Sequence, residues 1–222
     1  MICRHCNAPL EHVLIDLGHQ PPSNAYLSEA QVAEPELHAP LKTFVCETCW
    51  LVQLPAHHRA DELFTADYAY FSSVSTTWVE HARQYVAAMT TRFALNADSL
   101  VVEIASNDGY LLQFVRDAGI ACLGIEPTAS TAAAARTKGI ETLETFFGAD
   151  VGRQLAAERR PADLIAANNV LAHVPDINDF VAGFRELLAA EGVATFEFPH
   201  LMRLIDGGQF DTIYHEHYSY LS

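Results

Sequence analysis

A chain of 222 residues can bury one core of ordinary domain size and a smaller annex. Thirteen Lys and Arg stand against 28 Asp and Glu, a formal net charge of −15, so most of the surface repels polyphosphate and nucleic acid is disfavoured as a partner. No run of about twenty apolar residues occurs and the first residues, with Cys3 and Arg4, lack a signal-peptide pattern, so the expectation is a folded cytoplasmic chain with no membrane partner.

Two cysteine knuckles come first. Cys3-x-x-Cys6 in ICRHC and Cys46-x-x-Cys49 in FVCETCW are tight turns presenting two thiolates each, and together they make a tetrahedral four-sulfur set suited to Zn²⁺. Two readings compete: a pair of disulfides, disfavoured in a reducing cytosol, and a redox CxxC, which needs only one pair beside a βαβ unit. Four protein ligands leave no position for water, so the metal is expected to be structural. The loop from Cys6 to Cys46 must fold on itself, and LGHQPPSNAY, residues 17 to 26, reads as a turn-rich excursion. His5, His12 and His19 read as surface residues and Cys122 as a core cysteine.

From Ser75 onward Trp78, Ala82, Tyr85, Val86 and Met89 recur at helical spacing, with Ser75 or Thr76 as N-cap. The preceding turn holds Tyr68, Tyr70, Ser72 and Ser73, read either as a capping and packing cluster or as ligand contacts.

Beyond Asn96 strand and helix patterns alternate. SLVVEIAS, ACLGIEP, IETLE, ADLIAANNVL and VATFEFP are the strands. The intervening helices lie in GYLLQFVRDAG, TASTAAAARTKG, GADVGRQLAAERR and DINDFVAGFRELLAAEG, three of them closed by Gly119, Gly139 and Gly192. This order predicts an α/β fold, a doubly wound parallel sheet of Rossmann-like type, which binds ligands at the carboxyl ends of its strands. The expected organisation is a zinc-binding domain over 1–62, a helical connector over 63–95, the Rossmann-like domain over 96–201 and an active-site segment over 202–222.

Glu103 closes the first of these strands and Glu126 the second, close to the interval at which such a fold sets an acid on ribose hydroxyls. EIASNDGY keeps only Gly109 where a dinucleotide site shows G-x-G-x-x-G, so a pyrophosphate has little room and NAD is disfavoured. A cofactor with ribose, a sulfonium and an amino-acid tail suits the polar Ser106, Asn107 and Asp108; that description is S-adenosylmethionine. The competing reading makes Glu103 and Glu126 helix caps.

The last stretch, DTIYHEHYSYLS, packs His215, Glu216 and His217 between Tyr214 and Tyr218. His215 and His217 share one side of an extended backbone, so metal binding and an inert polar loop stand beside acid/base chemistry as readings.

The two knuckles, DYAYFSSVSTTWVEHA, VVEIASNDGYLL, GIEPT, NNVLAHVPDINDF, FEFPHL and IYHEHYSYLS together resemble, in order and across nearly the whole chain, the sugar C-methyltransferases that act on nucleotide-linked 4-keto-deoxysugars. The resemblance implies a zinc domain, a central S-adenosylmethionine-dependent Rossmann domain and a second α/β domain that helps hold the nucleotide sugar. The chain stops where that last domain is expected to begin, so a separate chain supplying it is an expected partner beside the small-molecule ketone substrate.

The resemblance also implies roles. A ketone at C4 acidifies the C3 proton, and in the family pattern Tyr-x-Glu-His, here Tyr214, His215, Glu216 and His217, the final histidine is the base that removes it. Glu216 orients or polarises that base, while Tyr214 and His173 donate hydrogen bonds to the oxygen where enolate charge develops. Tyr70 faces the sugar, and Tyr68 and Ser72 line the cofactor with Glu103, Ala105, Ser106, Asn107, Asp108, Gly109, Glu126, Pro127, Asn168 and Asn169. His215 stays open as an alternative base. A scaffold or cofactor-binding protein without full catalytic competence, and a methyltransferase for another small-molecule acceptor, are the other functional readings. Methylation at oxygen or nitrogen needs no carbon base, since heteroatoms already carry lone pairs.

Overall fold

The protein is described from a computed structural model covering residues 1–24, 26–57 and 70–222. The expected cofactor contact Tyr68 and the expected boundary after residue 62 lie outside the described residues. The chain forms two compact units. One holds residues 1–57 with Asn169–Asn178 and Phe198–Ser222; the other holds residues 70–168 with Asp179–Glu197.

The second unit is the alternating α/β part. Its strands β4 (Leu100–Ile104), β5 (Ala121–Ile125), β6 (Thr142–Leu143), β7 (Ala162–Asn168) and β8 (Leu188–Glu197) form one parallel sheet in the order β6-β5-β4-β7-β8. The direction of winding reverses at β4, between β5 and β7, and that switch point is where open α/β sheets take their ligands. β4 is buried along its whole length, as befits a strand covered on both faces, and LVVEI is accordingly apolar at four of five positions. Val101, Leu111, Leu112, Val115, Ile120 and Leu164 share a core with Ala82 and Val86 of the helix Thr76–Arg92. Ser75 caps that helix by accepting a hydrogen bond from the Trp78 N–H at 3.2 Å, one of the two caps the sequence allows.

One element departs from the pattern. The predicted helix running to Gly192 ends at Leu187, and β8 starts with the next residue because Leu188 pairs with Ala162. Gly192 belongs to the strand, where a Cβ would lie 2.6 Å from the Ala162 carbonyl oxygen, so the glycine that reads as a helix stop permits a close backbone approach.

The first unit is built on an antiparallel sheet, β1 (His12–Gln20), β2 (Ala39–Val45), β3 (Val52–Gln53) and β9 (Ser219–Tyr220), in the order β1-β2-β3-β9. Among the described residues it has two small apolar centres. Cys3, Leu10, Phe44 and Cys46 make one, and Leu41, Val52, Leu54 and Tyr220 the other. Among the described residues no helix is long and apolar enough to cross a membrane.

Candidate active site and metal centre

In the first unit the four cysteines converge. Their sulfur atoms all lie within 4.8 Å of one another, with Cys3 and Cys46 buried. The Cys3–Cys49 and Cys6–Cys46 sulfur pairs are 3.6 and 3.5 Å apart. A disulfide needs about 2.05 Å, whereas a tetrahedral ion with Zn–S bonds of about 2.3 Å sets its sulfurs roughly 3.8 Å apart; the arrangement is that of a metal centre with free thiols. Burial opposes ionisation of Cys3, yet backbone N–H groups of Cys6 and His5 and the Gln53 amide bring its pKa down to about 6, while burial pushes Cys49 up to about 12. Four sulfurs this close cannot all become thiolates without a cation, and Zn²⁺ held by Cys3, Cys6, Cys46 and Cys49 supplies it. The site fits a closed, structural metal.

In the second unit the carboxyl ends of β4 and β5 hold the expected cofactor residues together. Glu126 is buried, and both its oxygens accept backbone hydrogen bonds, from the Asn107 N–H and the Thr128 N–H at 2.9 Å each. Each oxygen retains acceptor capacity, so the carboxylate is held in place with lone pairs to spare for hydroxyls. Burial raises its pKa above the usual range. Glu103 is fully buried and, among the described residues, neither oxygen has a hydrogen-bond partner; burial raises its pKa strongly, and Glu126 and Asp108 add to the rise. Asp108 pairs through one oxygen with Lys138 at 3.1 Å, and its other oxygen is buried with no partner among the described residues. Mutually repelling acids with spare acceptors favour a ligand bearing hydroxyls and positive charge. A ribose with a sulfonium and an ammonium group fits that set, whereas phosphates do not.

The loop shape comes from backbone conformations that favour small or amide residues. Ala105, Asn107 and Gly109 have φ of 56°, 49° and 75°. At Gly109 a Cβ would also come within 2.4 Å of Ile140 Cδ1, so its single glycine serves the loop's packing. Asn107 reaches away from the loop: its carbonyl oxygen accepts from the Ser72 N–H at 2.9 Å and its amide donates to the Tyr70 carbonyl at 3.1 Å. Lys138 adds a bond to Ser73 at 2.7 Å. Ser72 is therefore buried against this loop, and the Tyr70 side chain is half exposed. Ser106 is buried, Pro127 and Ala105 are half-buried, Asn168 is buried at the end of β7, and Asn169 follows with φ 52° as the first residue of a segment in the other unit.

The acid/base candidates gather in the first unit. His217 is 4% exposed and fixed at both nitrogens. Nδ1 lies 2.8 Å from the Thr212 carbonyl oxygen, which can only accept, so Nδ1 carries the proton and Nε2 the lone pair; that lone pair accepts from the Tyr214 hydroxyl at 2.9 Å. The His173 and His217 rings are 4.5 Å apart between centroids, and His173 Nδ1 is 4.0 Å from Glu216 Oε2. The other Glu216 oxygen accepts from Ser23 Oγ at 3.0 Å and Asn24 Nδ2 at 2.8 Å. His215 directs Nε2 at the Ala39 carbonyl at 3.2 Å, which makes that nitrogen a donor. Ser23, Asn24 and Thr212 escape a sequence reading. PPSN announces a turn and nothing in its spacing points to residue 216, about 190 positions on.

Burial lowers the His217 pKa to about 4, against a small upward pull from the Thr212 carbonyl, and burial with the nearby His217 lowers His173 to about 3. Both rings are neutral at pH 7. The unfolded imidazole titrates near 6.5, so below that value the unfolded chain takes up protons the folded one refuses. The contribution of His217 is whole above pH ~6.5 and is lost as pH falls toward about 4. Between pH 7 and 5 the wild type is expected to lose on the order of 2 kcal/mol more stability than His217→Gln. Urea unfolding of the two proteins at both pH values checks this; parallel losses would refute the buried neutral ring.

Residues 3–64 match the family described as "Putative zinc binding domain", and residues 102–194 the family described as "Methyltransferase domain". Over 220 residues the chain is 35% identical to the C-methyltransferase NovU of Streptomyces niveus; the match takes in 99% of this chain and 52% of NovU, so the chain spans about half the length of that relative. Among solved structures, a SAM-dependent methyltransferase from Anabaena variabilis aligns with a TM-score of 0.52 at 17% identity over 72% of each chain. The PH0226 protein from Pyrococcus horikoshii aligns at 0.50 and 16% identity over 68% of each. Those two likenesses concern the fold, a Rossmann-like parallel sheet. Along the sequence a match to the zinc-binding family is followed by a match to the methyltransferase-domain family, and 99% of the chain is similar to about half of the C-methyltransferase NovU.

Proposed function

We propose that the chain methylates the carbon next to a ketone in a small molecule, and that this ketone is the C4 carbonyl of a nucleotide-linked deoxysugar. S-adenosylmethionine supplies, when bound, the electrophilic methyl. Glu126 would hold its ribose hydroxyls, Asp108 would offset its positive charge, and Glu103, whose pKa burial raises, would line the site as a hydrogen-bonding group. His217 takes the proton from the α-carbon at Nε2, and Tyr214, whose hydroxyl occupies that nitrogen at rest, turns its hydrogen bond to the carbonyl oxygen as charge develops there. His173 assists at the same oxygen, and Glu216 steadies His173. Tyr70 and Ser72 complete the sugar and cofactor contacts. The observation that carries this reading is the fixed tautomer of His217, a buried neutral imidazole with its lone pair turned to a phenol. A pKa of about 4 makes a weak base, so stabilisation of the enolate oxygen must do much of the lowering of the barrier. The reduced thiols of the metal centre suit the cytoplasm.

Calorimetry tests the proposal in two steps, first with S-adenosylhomocysteine and then with a thymidine-diphosphate 4-keto-deoxysugar. One-to-one cofactor binding followed by sugar binding supports it; absence of cofactor binding sinks it. Glu126→Ala is expected to weaken S-adenosylhomocysteine about tenfold to a hundredfold, the worth of one or two charge-assisted hydrogen bonds. Unchanged affinity would move the ribose elsewhere.

A further inference from the structure

The first knuckle supplies more than sulfur. Between its ligands Cys3 and Cys6 stand Arg4 and His5, and both reach the segment that carries His173. The Arg4 guanidinium donates to the Leu54 carbonyl at 2.5 Å and to the Pro175 carbonyl at 2.7 Å, and lies 5.2 Å from the Tyr218 ring centroid. Leu54 N–H in turn donates to the Tyr218 carbonyl at 3.0 Å, and Tyr218 N–H to the Ala172 carbonyl at 2.8 Å. These contacts close a ring, Arg4 to Pro175, back along the chain to Ala172, across to Tyr218, to Leu54 and to Arg4 again. His173 sits between the two anchored carbonyls, and His217 directly precedes Tyr218. His5 adds a second tie, Nδ1 to Asn178 Oδ1 at 2.7 Å with Asn178 Nδ2 returning to the His5 carbonyl at 2.8 Å. Gln53 locks the knuckle's end of the ring: its amide donates to Cys3 Sγ at 3.1 Å and its carbonyl accepts from the Arg4 N–H at 2.9 Å.

We infer that Arg4 and His5 are positioning residues for the acid/base pair, holding His173 and His217 at their close approach by fixing the backbone on either side of them. The metal centre thereby acts as the anchor of the active-site geometry and not only of the fold of its own domain. Arginine suits the position because two carbonyls in different directions need a planar fork that keeps its charge. A lysine ammonium, compact and strongly hydrated, cannot span them in that geometry. This inference rests on the reading of His217 as base, but its titration readout needs no substrate.

The test is a histidine-resolved NMR titration of zinc-loaded Arg4→Lys, Arg4→Ala and Asn178→Ala beside wild type. Among the described residues the groups facing His173 include Glu216, Tyr214 and His217, and those facing His217 include Tyr214, Tyr220 and His173. None of these is altered in the variants. Once the clamp is loosened, water reaches the pair, and the two imidazoles are expected to titrate about one unit closer to 6.5, with Arg4→Ala moving further than Arg4→Lys. Zinc stays at one per chain, S-adenosylhomocysteine affinity is unchanged and α-carbon exchange falls through kcat with little change in KM. Should the arginine variants fail to fold, Asn178→Ala, which leaves the knuckle's own residues in place, carries the test. Zinc-loaded variants whose histidines titrate as in wild type overturn the inference. Exchange that survives His217→Gln, with the titrations displaced as described, refutes the base assignment and leaves the clamp standing.

Discussion

Replacing His217 with glutamine is expected to slow exchange of the ketone's α-hydrogen with solvent by roughly a hundredfold to ten-thousandfold, the worth of a positioned general base. Glutamine has nearly the size of histidine, and its amide can still donate to the Thr212 carbonyl that now holds Nδ1. What it lacks is a basic lone pair. S-adenosylhomocysteine affinity and zinc content should not change, because neither Glu126 nor the cysteines touch this ring. His215→Gln is the matched control. Its Nε2 donates to the Ala39 carbonyl, so that nitrogen is no base, and exchange should persist. Loss of exchange in the His215 variant with survival in the His217 variant would exchange the two roles. The wild-type rate should stay level from about pH 8 down to about pH 5, because the ring's pKa is held near 4; a fall centred on 6.5 would mean an imidazole open to water.

Cys46→Ser should be the most damaging change in the first unit. Structural zinc in small domains contributes an apparent 10–16 kcal/mol or so, as much as the whole stability of an ordinary protein, about 5–15 kcal/mol. Among the described residues the apolar centre around the metal buries Leu10 and Phe44 with Cys3 and Cys46, with Ala8 and Leu51 packed against them, a core too small to be expected to hold β1 to β3 in place without the ion. Native mass spectrometry should find one zinc per wild-type chain and none in the variant. Hydrogen exchange should show lost protection in β1, β2, β3 and β9, with the parallel sheet of β4 to β8 retained. A metal-free protein with β2 still protected would refute a structural role.

The second unit was legible because its physics is local. Buried parallel strands read as apolar runs, glycines close two of the helices, and Glu103 and Glu126 fall at strand ends by simple counting. The knuckles were legible for the same reason, since two thiolates on one tight turn need only a short spacing. Illegible were the bonds that join distant segments. Nothing near Asn107 marks it as a tie to Tyr70 and Ser72, and nothing in PPSN marks Ser23 and Asn24 as the hold on Glu216. The tautomer of His217 depends on where the Thr212 carbonyl points, which is a property of the fold. Gly192 misled because a glycine needed for close approach and one that stops a helix look alike in sequence.

The pairing of β3 with β9 joins Val52 to Tyr220. A ribosome therefore releases one edge of the antiparallel sheet long before its mate exists, and β3 must wait with unpaired backbone groups while the intervening residues are made. Nascent chains halted before Ser219 should adhere to one another or engage holdase chaperones, whereas those carrying Leu221 should not.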